Sequence, residues 1–358
     1  MSLKKRVGLL LLLILALALA YLLLAPVSIA PAAWTPPASP GLAGPYQQNN
    51  RLTPVQRLSL GAGHGPEDVA LDAEGNIYAG FEDGRIVVLK PDGAEPRVFA
   101  NTAGRPLGLI FDQQGNLIVA DAIKGLLSVS KAGEVKVLAT EADGAKFGCL
   151  NDLDVGADGT IYFTEASHKF PMTQHVNDLL EHQPNGRLMA LDPESQKPRT
   201  LLRGLYFANG VAVSPDQTFV LVAETGMYRV RRVWLKEPKI GQEDVFIENL
   251  PGFPDGISSN GRDKFWLALV TPRQALFDRM LPYPFARKMV VRLPKFMHPA
   301  PQRYSFVVGL DASGRVVENL QNGAADCYAQ IANVVEHNGA LYFGSIGEDT
   351  VGRFVLPP

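Results

Sequence analysis

Four side chains that carry oxygen recur at one position of a repeated sequence unit. Glu67, Asn151, Asn209 and Asp255 each stand eleven residues before a central residue of a predicted strand. Carboxylate and amide oxygens are the ligands that Ca²⁺ prefers, whereas zinc sites are rich in His and Cys. Two carboxylates would also balance the charge of a divalent ion. If these positions meet in space, they predict a calcium site with these four residues as its metal ligands.

An alternative interpretation is that the four residues cap strand ends, where Asn and Asp are common. The residues that follow argue against it, because Asn209 precedes Gly210-Val211 and Asp255 precedes Gly256-Ile257, which continue a strand. Calcium takes six to eight ligands, so four side chains would leave positions for water and for a substrate oxygen.

The unit that contains these residues consists of alternating apolar residues, a turn and a dense apolar strand. Its six copies are VALDAEGNIYAG (69–80), LIFDQQGNLIVAD (109–121), LDVGADGTIYFTE (153–165), VAVSPDQTFVLVAE (211–224), ISSNGRDKFWLAL (257–269) and VVEHNGALYFGS (334–345). Gly, Asp or Asn in each turn is what a hairpin requires. The period resembles that of propeller blades.

The repeat predicts an all-β fold, a six-bladed β-propeller over residues 54–358, in which equivalent positions of the blades meet around one axis. The last unit shows only three strands. We expect Pro54–Leu60 to supply the fourth and close the ring, which leaves no sheet edge open. Two long intervals, 166–185 and 272–300, interrupt the period and predict loops or short helices on one rim.

The N-terminus predicts one transmembrane helix that acts as an uncleaved signal anchor, in residues 1–25. Lys4, Lys5 and Arg6 precede a run from Val7 to Ala25 without a charged residue, long enough to span a bilayer. The positive cluster should remain in the cytoplasm, so we expect a single-pass protein with its propeller on the outer side.

The next segment, residues 26–53, is rich in Pro, Ala and Gly and predicts a linker that holds the propeller off the lipid. A cleaved signal peptide is the alternative, because Ser28-Ile29-Ala30 resembles a cleavage site. Pro31 directly after it disfavours cleavage.

Composition excludes several classes of protein. The 358 residues carry a net charge of -2, with no basic cluster beyond the N-terminus, so nucleic acid is not an expected partner. The two cysteines, Cys149 and Cys327, precede inner strands three blades apart. They should lie on opposite sides of the tunnel, too far apart for a disulfide.

Several motifs in order resemble the strictosidine synthase-like family, which includes the adipocyte plasma membrane-associated proteins and their N-terminal anchor. These motifs are GPEDVALD (65–72), LNDLDVGADGTIYFTEASHKF (150–170), NGRLMALDP (185–193), FANGVAVSPD (207–216), GFPDGISSNG (252–261) and EHNGALYFGS (336–345). More remotely, the chain is similar to gluconolactonases, phosphotriesterase propellers and paraoxonases. This resemblance implies a calcium ion that activates ester, lactone or phosphotriester substrates, with ligands at Glu67, Asn151, Asn209 and Asp255.

The chain also departs from its relatives. True strictosidine synthases carry a catalytic Glu in blade six. The resemblance implies that the corresponding position in this chain is at or beside Ala332, so no base is expected there. Paraoxonases carry a His where this chain has Leu107. The resemblance also implies a second calcium at Asp68 and Asp152. The simpler interpretation is that these two carboxylates are solvated or paired with other side chains.

The leading hypothesis is a calcium-dependent hydrolase of esters or lactones, of the arylesterase or lactonase kind. Asp255 would deliver or orient the nucleophilic water, and the apolar Leu107 and Ile331 would face the hydrocarbon part of the substrate. His168 opens the first insertion and is a candidate general base at the tunnel mouth, although a surface loop His is the simpler interpretation. Glu165 and Glu224 end strands and predict structural hydrogen bonds.

Two other functions stay open. A non-catalytic, membrane-tethered binding propeller with structural calcium would need no His base. An amine–aldehyde condensing enzyme of the strictosidine synthase type is disfavoured by Ala332. The insertion 272–300 mixes Leu, Phe and Met with Arg and Lys, which fits a lid over the substrate, an interfacial segment or a packed rim loop. We favour the lid, because the resemblance implies an insertion here.

Overall fold

The computed structural model describes residues 2–298 and 300–357. Its strands are β1 (Gln56–Ser59), β2 (Val69–Leu71), β3 (Ile77–Gly80), β4 (Arg85–Leu89), β5 (Arg97–Asn101), β6 (Pro106–Phe111), β7 (Leu117–Asp121), β8 (Gly125–Val129), β9 (Val135–Ala139), β10 (Glu141–Ala142), β11 (Ala145–Lys146), β12 (Cys149–Val155), β13 (Ile161–Ser167), β14 (Gly186–Leu191), β15 (Pro198–Leu205), β16 (Ala208–Val213), β17 (Phe219–Glu224), β18 (Arg229–Trp234), β19 (Glu243–Ile247), β20 (Gly252–Ser259), β21 (Phe265–Pro272), β22 (Ser305–Leu310), β23 (Val316–Asn322), β24 (Ile331–His337), β25 (Ala340–Ser345) and β26 (Thr350–Val355). The α-helices are α1 (Leu3–Leu24), α2 (His175–Glu181), α3 (Ala275–Met280) and α4 (Pro284–Arg292).

The strands form six four-stranded antiparallel sheets, which confirms the predicted six-bladed β-propeller. Blades one to five follow chain order: β2–β5, β6–β9, β12–β15, β16–β19 and β20–β23. The small hairpin β10–β11 connects blades two and three. Apolar side chains of adjacent blades pack in shared clusters, such as the one that joins Leu109 and Leu117 of blade two to Tyr78 and Val88 of blade one.

The turn chemistry read from the sequence is present at the first hairpin. Gly75 adopts φ +83°, in the left-handed region that favours glycine. The Asp72 carboxylate accepts a hydrogen bond from the Asn76 backbone N–H at 2.8 Å, which fixes the turn between β2 and β3.

Blade six closes the ring with a strand from the other end of the chain. Its order is β1-β26-β25-β24, and Gln56 to Ser59 pair antiparallel with Arg353 to Thr350. The predicted closure is therefore present. Every blade consequently has four strands, and the ends of the propeller are joined by backbone hydrogen bonds.

Helix α1 is long and apolar enough to cross a membrane, with a mean hydropathy of 3.0 over its most apolar window, and none of its residues is buried. This finding agrees with the predicted single anchor by length and composition. Which side of a membrane holds the propeller stays a prediction.

The segment after α1, which we expected to act as a spacer, lies along the propeller, and we call residues 26–53 the strap. Ile29, Tyr46 and Leu52 of the strap are buried. The backbone N–H of Leu52 donates to Gln321 O at 3.0 Å. The strap therefore contributes apolar side chains to the folded domain, while the predicted domain boundary at residue 54 stays a prediction.

The strap meets the first insertion through stacked rings. Trp34 stacks on His182 with ring centroids 4.4 Å apart. The Tyr206 ring also contacts this imidazole, with ring centroids 4.7 Å apart. Burial, followed by the nearby positive charge of Arg287, lowers the pKa of His182 to about 3. His182 is therefore neutral in the folded protein at physiological pH.

We predict that Leu52→Ala lowers the free energy of unfolding by about 2–5 kcal/mol, since it removes a fully buried side chain from the cluster around Trp266 and Tyr328. Urea unfolding of the full chain in detergent micelles, followed by tryptophan fluorescence, measures the change. Val98→Ala is the control, because Val98 is 54% exposed on β5. Equal effects of the two substitutions would mean that the strap does not support the fold.

A second prediction concerns acid sensitivity. Below about pH 6.5 the unfolded chain binds a proton at His182 that the folded chain does not bind until about pH 3. Between about pH 6.5 and pH 3, His182 therefore lowers the free energy of unfolding as pH falls, by up to about 1.4 kcal/mol per pH unit. His182→Phe keeps a ring against Trp34 and removes the titration, so the variant should lose less stability on acidification. The comparison uses the slope of the free energy of unfolding against pH, because strain in the left-handed backbone at residue 182 changes that energy equally at every pH. Identical slopes for the two proteins would refute the lowered pKa of His182.

Candidate metal centre

Each inner strand from blade two to blade six departs from regular pairing near its start. The pairing registers shift between Pro106 and Gly108, Leu150 and Leu153, Ala208 and Val211, Pro254 and Ile257, and Ile331 and Asn333. Such bulges turn a side chain out of the alternating pattern of its strand. The residues in the bulges include Asn151, Asn209 and Asp255.

The bulged residues point to the propeller axis. A cavity of about 10 Å³ in the tunnel is lined by Glu67, Asp68, Leu107, Asn151, Asp152, Asn209, Asp255, Gly256, Ala332 and Asn333. The structure thus brings all four predicted metal ligands to one narrow place, each of them buried.

In blade six, the residue that lines the tunnel is Ala332. The sequence predicted Ile331, which stands eleven residues before Tyr342, at this position. Ile331 is fully buried in the cluster with Trp266 and Tyr328. The turn between β24 and β25 is one residue shorter than its counterpart in blade three, since Tyr342 pairs with Val335 but Tyr162 pairs with Asp154. Counting a constant interval back from Tyr342 therefore ended one residue too early.

Glycines beside two of the ligands let the inner strands approach. A Cβ on Gly210 would lie 2.4 Å from the Ile257 backbone nitrogen, and one on Gly256 would lie 2.7 Å from the Ala332 carbonyl oxygen. No side chain fits at these distances. Gly210 and Gly256 therefore permit the close contact of neighbouring blades that carries Asn209 and Asp255 to the axis.

The two carboxylates are in an unfavourable environment for negative charge. Burial and then repulsion from Glu67 raise the pKa of Asp255 well above its ordinary value, and the nearby Asn209 amide opposes this rise only in part. Burial also raises the pKa of Glu67, against the opposing charge of Arg105, whose Nη2 lies 3.2 Å from Glu67 Oε2. The Arg105 guanidinium therefore pairs with only one of the two buried acids, and a divalent cation would relieve their repulsion.

The two amides complete an all-oxygen donor set. Asn209 Nδ2 donates to Thr225 Oγ1 at 3.3 Å, and this hydroxyl donates to Pro254 O at 2.6 Å. Asn151 Nδ2 is buried and has no hydrogen-bond partner among the described residues. Turning this amide would present its oxygen instead, which is what a cation requires. The residues present therefore fit a calcium ion, whereas the described chain brings no three His, Cys, Asp or Glu residues together as a metal cluster.

The tunnel opens from these ligands into a much larger cavity of about 630 Å³. Its apolar lining consists of Ala122, Ile123, Pro171, Met172, Val176, Leu179, Phe207, Phe253, Val270, Phe277, Pro301 and Ile346. Val176 and Leu179 come from α2, and Phe277 comes from α3. Both insertions therefore cover the cavity, which agrees with the lid interpretation of 272–300.

Among the described residues, the histidine that lines this cavity is His175, which the sequence analysis did not single out. The candidate general base His168 lies where its alternative interpretation, a surface-loop residue, placed it. His168 is exposed, its Nδ1 lies 2.7 Å from Asn185 O, and it is absent from the described lining. His175 stands at the start of α2, with Nδ1 2.9 Å from Met172 O. Because a carbonyl only accepts, Nδ1 of the neutral ring must carry the hydrogen, which leaves the lone pair on Nε2.

Sequence reasoning also missed Arg105, Phe207 and Phe253, which line the cavity. Each stands two residues before a ring position, Leu107, Asn209 or Asp255 respectively. The period of two along a strand was the available signal.

On the far side of the ring, acids join neighbouring blades. Asp68 Oδ2 accepts from the Leu109 N–H at 2.7 Å, and Asp152 Oδ2 accepts from the Val211 N–H at 2.9 Å. Burial raises the pKa of Asp68 to about 7. These hydrogen bonds explain both acids without an ion, so a second calcium at Asp68 and Asp152 stays a prediction.

The structural roles expected of other residues are confirmed. Glu165 accepts from the Gly148 N–H at 2.6 Å, and Glu224 accepts from the Tyr206 N–H at 3.0 Å. Cys149 and Cys327 are free and buried, which confirms that no disulfide joins them.

Comparison with known proteins agrees with these features. The strictosidine synthase family model matches residues 151–238, and the strictosidine synthase-like N-terminal model matches residues 44–89. Protein STRICTOSIDINE SYNTHASE-LIKE 4 of Arabidopsis thaliana is 35% identical over 325 residues, which are 89% of this chain and 86% of that protein. The chain belongs to the strictosidine synthase-like family.

The family includes membrane-associated relatives. The adipocyte plasma membrane-associated protein of Rattus norvegicus is 33% identical over 351 residues, or 92% of this chain and 93% of the relative. Among solved structures, a gluconolactonase of Xanthomonas campestris superimposes with a TM-score of 0.62 at 18% identity, covering 92% of this chain and 99% of that one. The calcium-binding protein regucalcin of Agrobacterium tumefaciens gives a TM-score of 0.56 at 14% identity, covering 84% and 94%. At these identities the structures establish the propeller fold.

We predict that calcium stabilises the protein through the four ligands. At a hundredfold excess over its Kd, a bound ion raises the free energy of unfolding by about 2.7 kcal/mol. Asp255→Asn keeps the shape but removes a charge, so affinity should fall at least about tenfold, which removes about 1.4 kcal/mol of that gain. Because the carboxylates have raised pKa values, the stabilisation should be larger at neutral than at acidic pH.

Thermal unfolding with and without calcium measures this effect. Glu82→Gln is the matched control, since Glu82 lines the same large cavity but is exposed at its mouth. Equal calcium responses in the two variants would exclude Asp255 as a ligand.

Proposed function

We propose that this chain is a calcium-dependent hydrolase of esters or lactones with a partly apolar small-molecule substrate. The observation that carries the proposal is the junction of two spaces: the same four oxygen ligands line the narrow tunnel and the large apolar cavity. A cation at this junction would be open to a substrate on one side, and it would polarise the substrate carbonyl.

The remaining chemistry falls to residues of the chain. His175 Nε2 would take a proton from a water molecule, and the hydroxide so formed would attack the carbonyl carbon. As the bond between that carbon and the leaving oxygen breaks, the imidazolium would return the proton to this oxygen. The apolar lining, including Phe207 and Phe253, would hold the hydrocarbon part of the substrate and exclude bulk water.

Arg105 and Thr225 act as positioning residues in this proposal. Arg105 also donates from Nη1 to Gly65 O at 3.0 Å, so its guanidinium is fixed while it holds the Glu67 carboxylate. Thr225 holds the Asn209 amide. Asp255 lines both spaces and would act as a metal ligand that keeps the reacting carbonyl beside the ion.

The alternative of amine–aldehyde condensation is disfavoured by a specific residue. Ala332 faces the tunnel in blade six, where the family resemblance implies the catalytic Glu of strictosidine synthases. A methyl group can neither accept nor donate the proton that this condensation transfers.

We predict that phenyl acetate or small lactones are hydrolysed, and that chelation abolishes turnover until calcium is restored. His175→Gln should lower kcat by about 10²–10⁴ while it keeps the calcium-induced stabilisation, because it removes a base and no ligand. His168→Gln is the matched control and should leave turnover unchanged, since His168 lies outside the cavity.

The outcomes separate the candidate functions. Turnover that persists after thorough calcium removal, or that survives His175→Gln, would contradict this mechanism. Calcium-induced stabilisation without turnover of any ester or lactone would favour a binding propeller with structural calcium.

A further inference from the structure

The second insertion carries five exposed apolar side chains, which we call the lid patch: Leu276, Tyr283, Phe285, Phe296 and Met297. Leu276 and Tyr283 are 63% and 65% exposed, and Phe296 reaches 87%. Other exposed apolar residues of the propeller occur one or two to an outer strand, such as Val98 on β5 and the pair Val135 and Val137 on β9. Soluble surfaces tolerate such scattered residues, whereas five in one insertion, three of them aromatic, mark an interaction surface.

The packing of the lid does not require these side chains. The inward residues of the same helices already make the contacts: Phe277 of α3 meets Phe253 edge-on at 5.6 Å, and Val290 and Val291 of α4 pack against the cluster of Ile29. The insertion is therefore apolar on two faces. One face covers the cavity, and the other is exposed.

Helix α4, which carries Phe285 of the lid patch, is hydrogen-bonded to the end of the membrane anchor. Arg292, the last residue of α4, donates from Nε to Ala25 O at 2.7 Å and from Nη1 to Leu22 O at 2.9 Å. These carbonyls are at the C-terminal end of α1, where an α-helix lacks its own donors. Arg287 of the same helix is fully buried and donates to Leu180 O at 2.8 Å, which joins α4 to α2 as well.

This connection sets the height of the lid. A spanning helix ends at the membrane–water interface, so α4 is held at the same level. The lid patch is consequently continuous with the surface at which α1 leaves the lipid. This continuity identifies a lipid surface as the occupant of the patch.

The charge of the insertion fits the same occupant. Residues 273–298 contain six Lys or Arg and one Asp, in a chain whose net charge is -2. Arg273 pairs with Asp278, Arg287 is buried and Arg292 binds carbonyls of α1, so these three do not supply charge to a headgroup. Arg279 is exposed beside Leu276. Aromatic rings together with basic side chains are typical of segments that lie in the headgroup region of a bilayer with anionic lipids.

We propose that the lid patch lies in the leaflet at which α1 ends, so that the cavity and its lid are held against the membrane surface. The anchor then acts together with the insertion, as a second contact that fixes the orientation of the propeller. This inference does not depend on hydrolysis or on calcium.

The test uses the full chain in phosphatidylcholine vesicles with a minor fraction of phosphatidylglycerol. Single cysteines at Leu276 and Phe285 are labelled with a fluorophore; the native Cys149 and Cys327 are buried, and the wild-type chain checks that they do not react. Lipids that carry a nitroxide should quench both labels at least about twofold, because interfacial apolar faces lie roughly 5–10 Å into the headgroup–acyl boundary. Iodide in the water should quench them weakly.

Ile240→Cys is the matched control, since Ile240 is 58% exposed in the turn between β18 and β19. Its label should respond to iodide and not to the nitroxide lipids. If the labels at Leu276 and Phe285 behave like the one at Ile240, the lid patch faces water and the proposal fails. Protection from both quenchers, with cross-linked pairs of chains, would mean that a second copy covers the patch, which also overturns the proposal.

Discussion

The repulsion between two buried carboxylates is the constraint on which the rest of this structure depends. Glu67 precedes β2 of blade one and Asp255 lies in β20 of blade five, yet the ring of blades places both in one narrow tunnel. Hydrogen bonds and one arginine compensate part of their charge. Burial nevertheless raises both pKa values, so the site favours either protons or a cation. The bulges and the glycines of the inner strands stand at the positions that let the ligand side chains approach each other in the tunnel.

Neighbouring polar residues of one inner strand face opposite ends of the tunnel and have different roles. Glu67 lines the tunnel on the side of the large cavity, while its neighbour Asp68 bonds to the Leu109 N–H of the next blade. Asn151 and Asp152 repeat this arrangement. One residue of each pair is therefore available to a ligand, and the other holds the propeller together. The rigidity that a preorganised site needs thus comes from residues directly beside it.

The insertions and the strap add a set of connected elements to the propeller. The strap stacks Trp34 on His182, and Arg287 joins α4 to α2. The cavity roof, the strap and the end of α1 are consequently one connected structure. Helix α1 and the strap, which was expected to be a spacer, thus contact the elements that cover the site.

The sequence by itself determined the blades, the anchor and four oxygen-bearing residues, because a period of two, hairpin turns and a long apolar run are local signals. It also determined the partner of β26, since an incomplete last blade requires a strand from elsewhere. Only the tertiary structure decided that Ala332, and not Ile331, lines the tunnel and that His175 lines the cavity. The turn of blade six is one residue shorter, and a helical insertion aims its side chains by packing and not by strand period. Register shifts and long-range packing depend on contacts between distant residues, which no local pattern encodes.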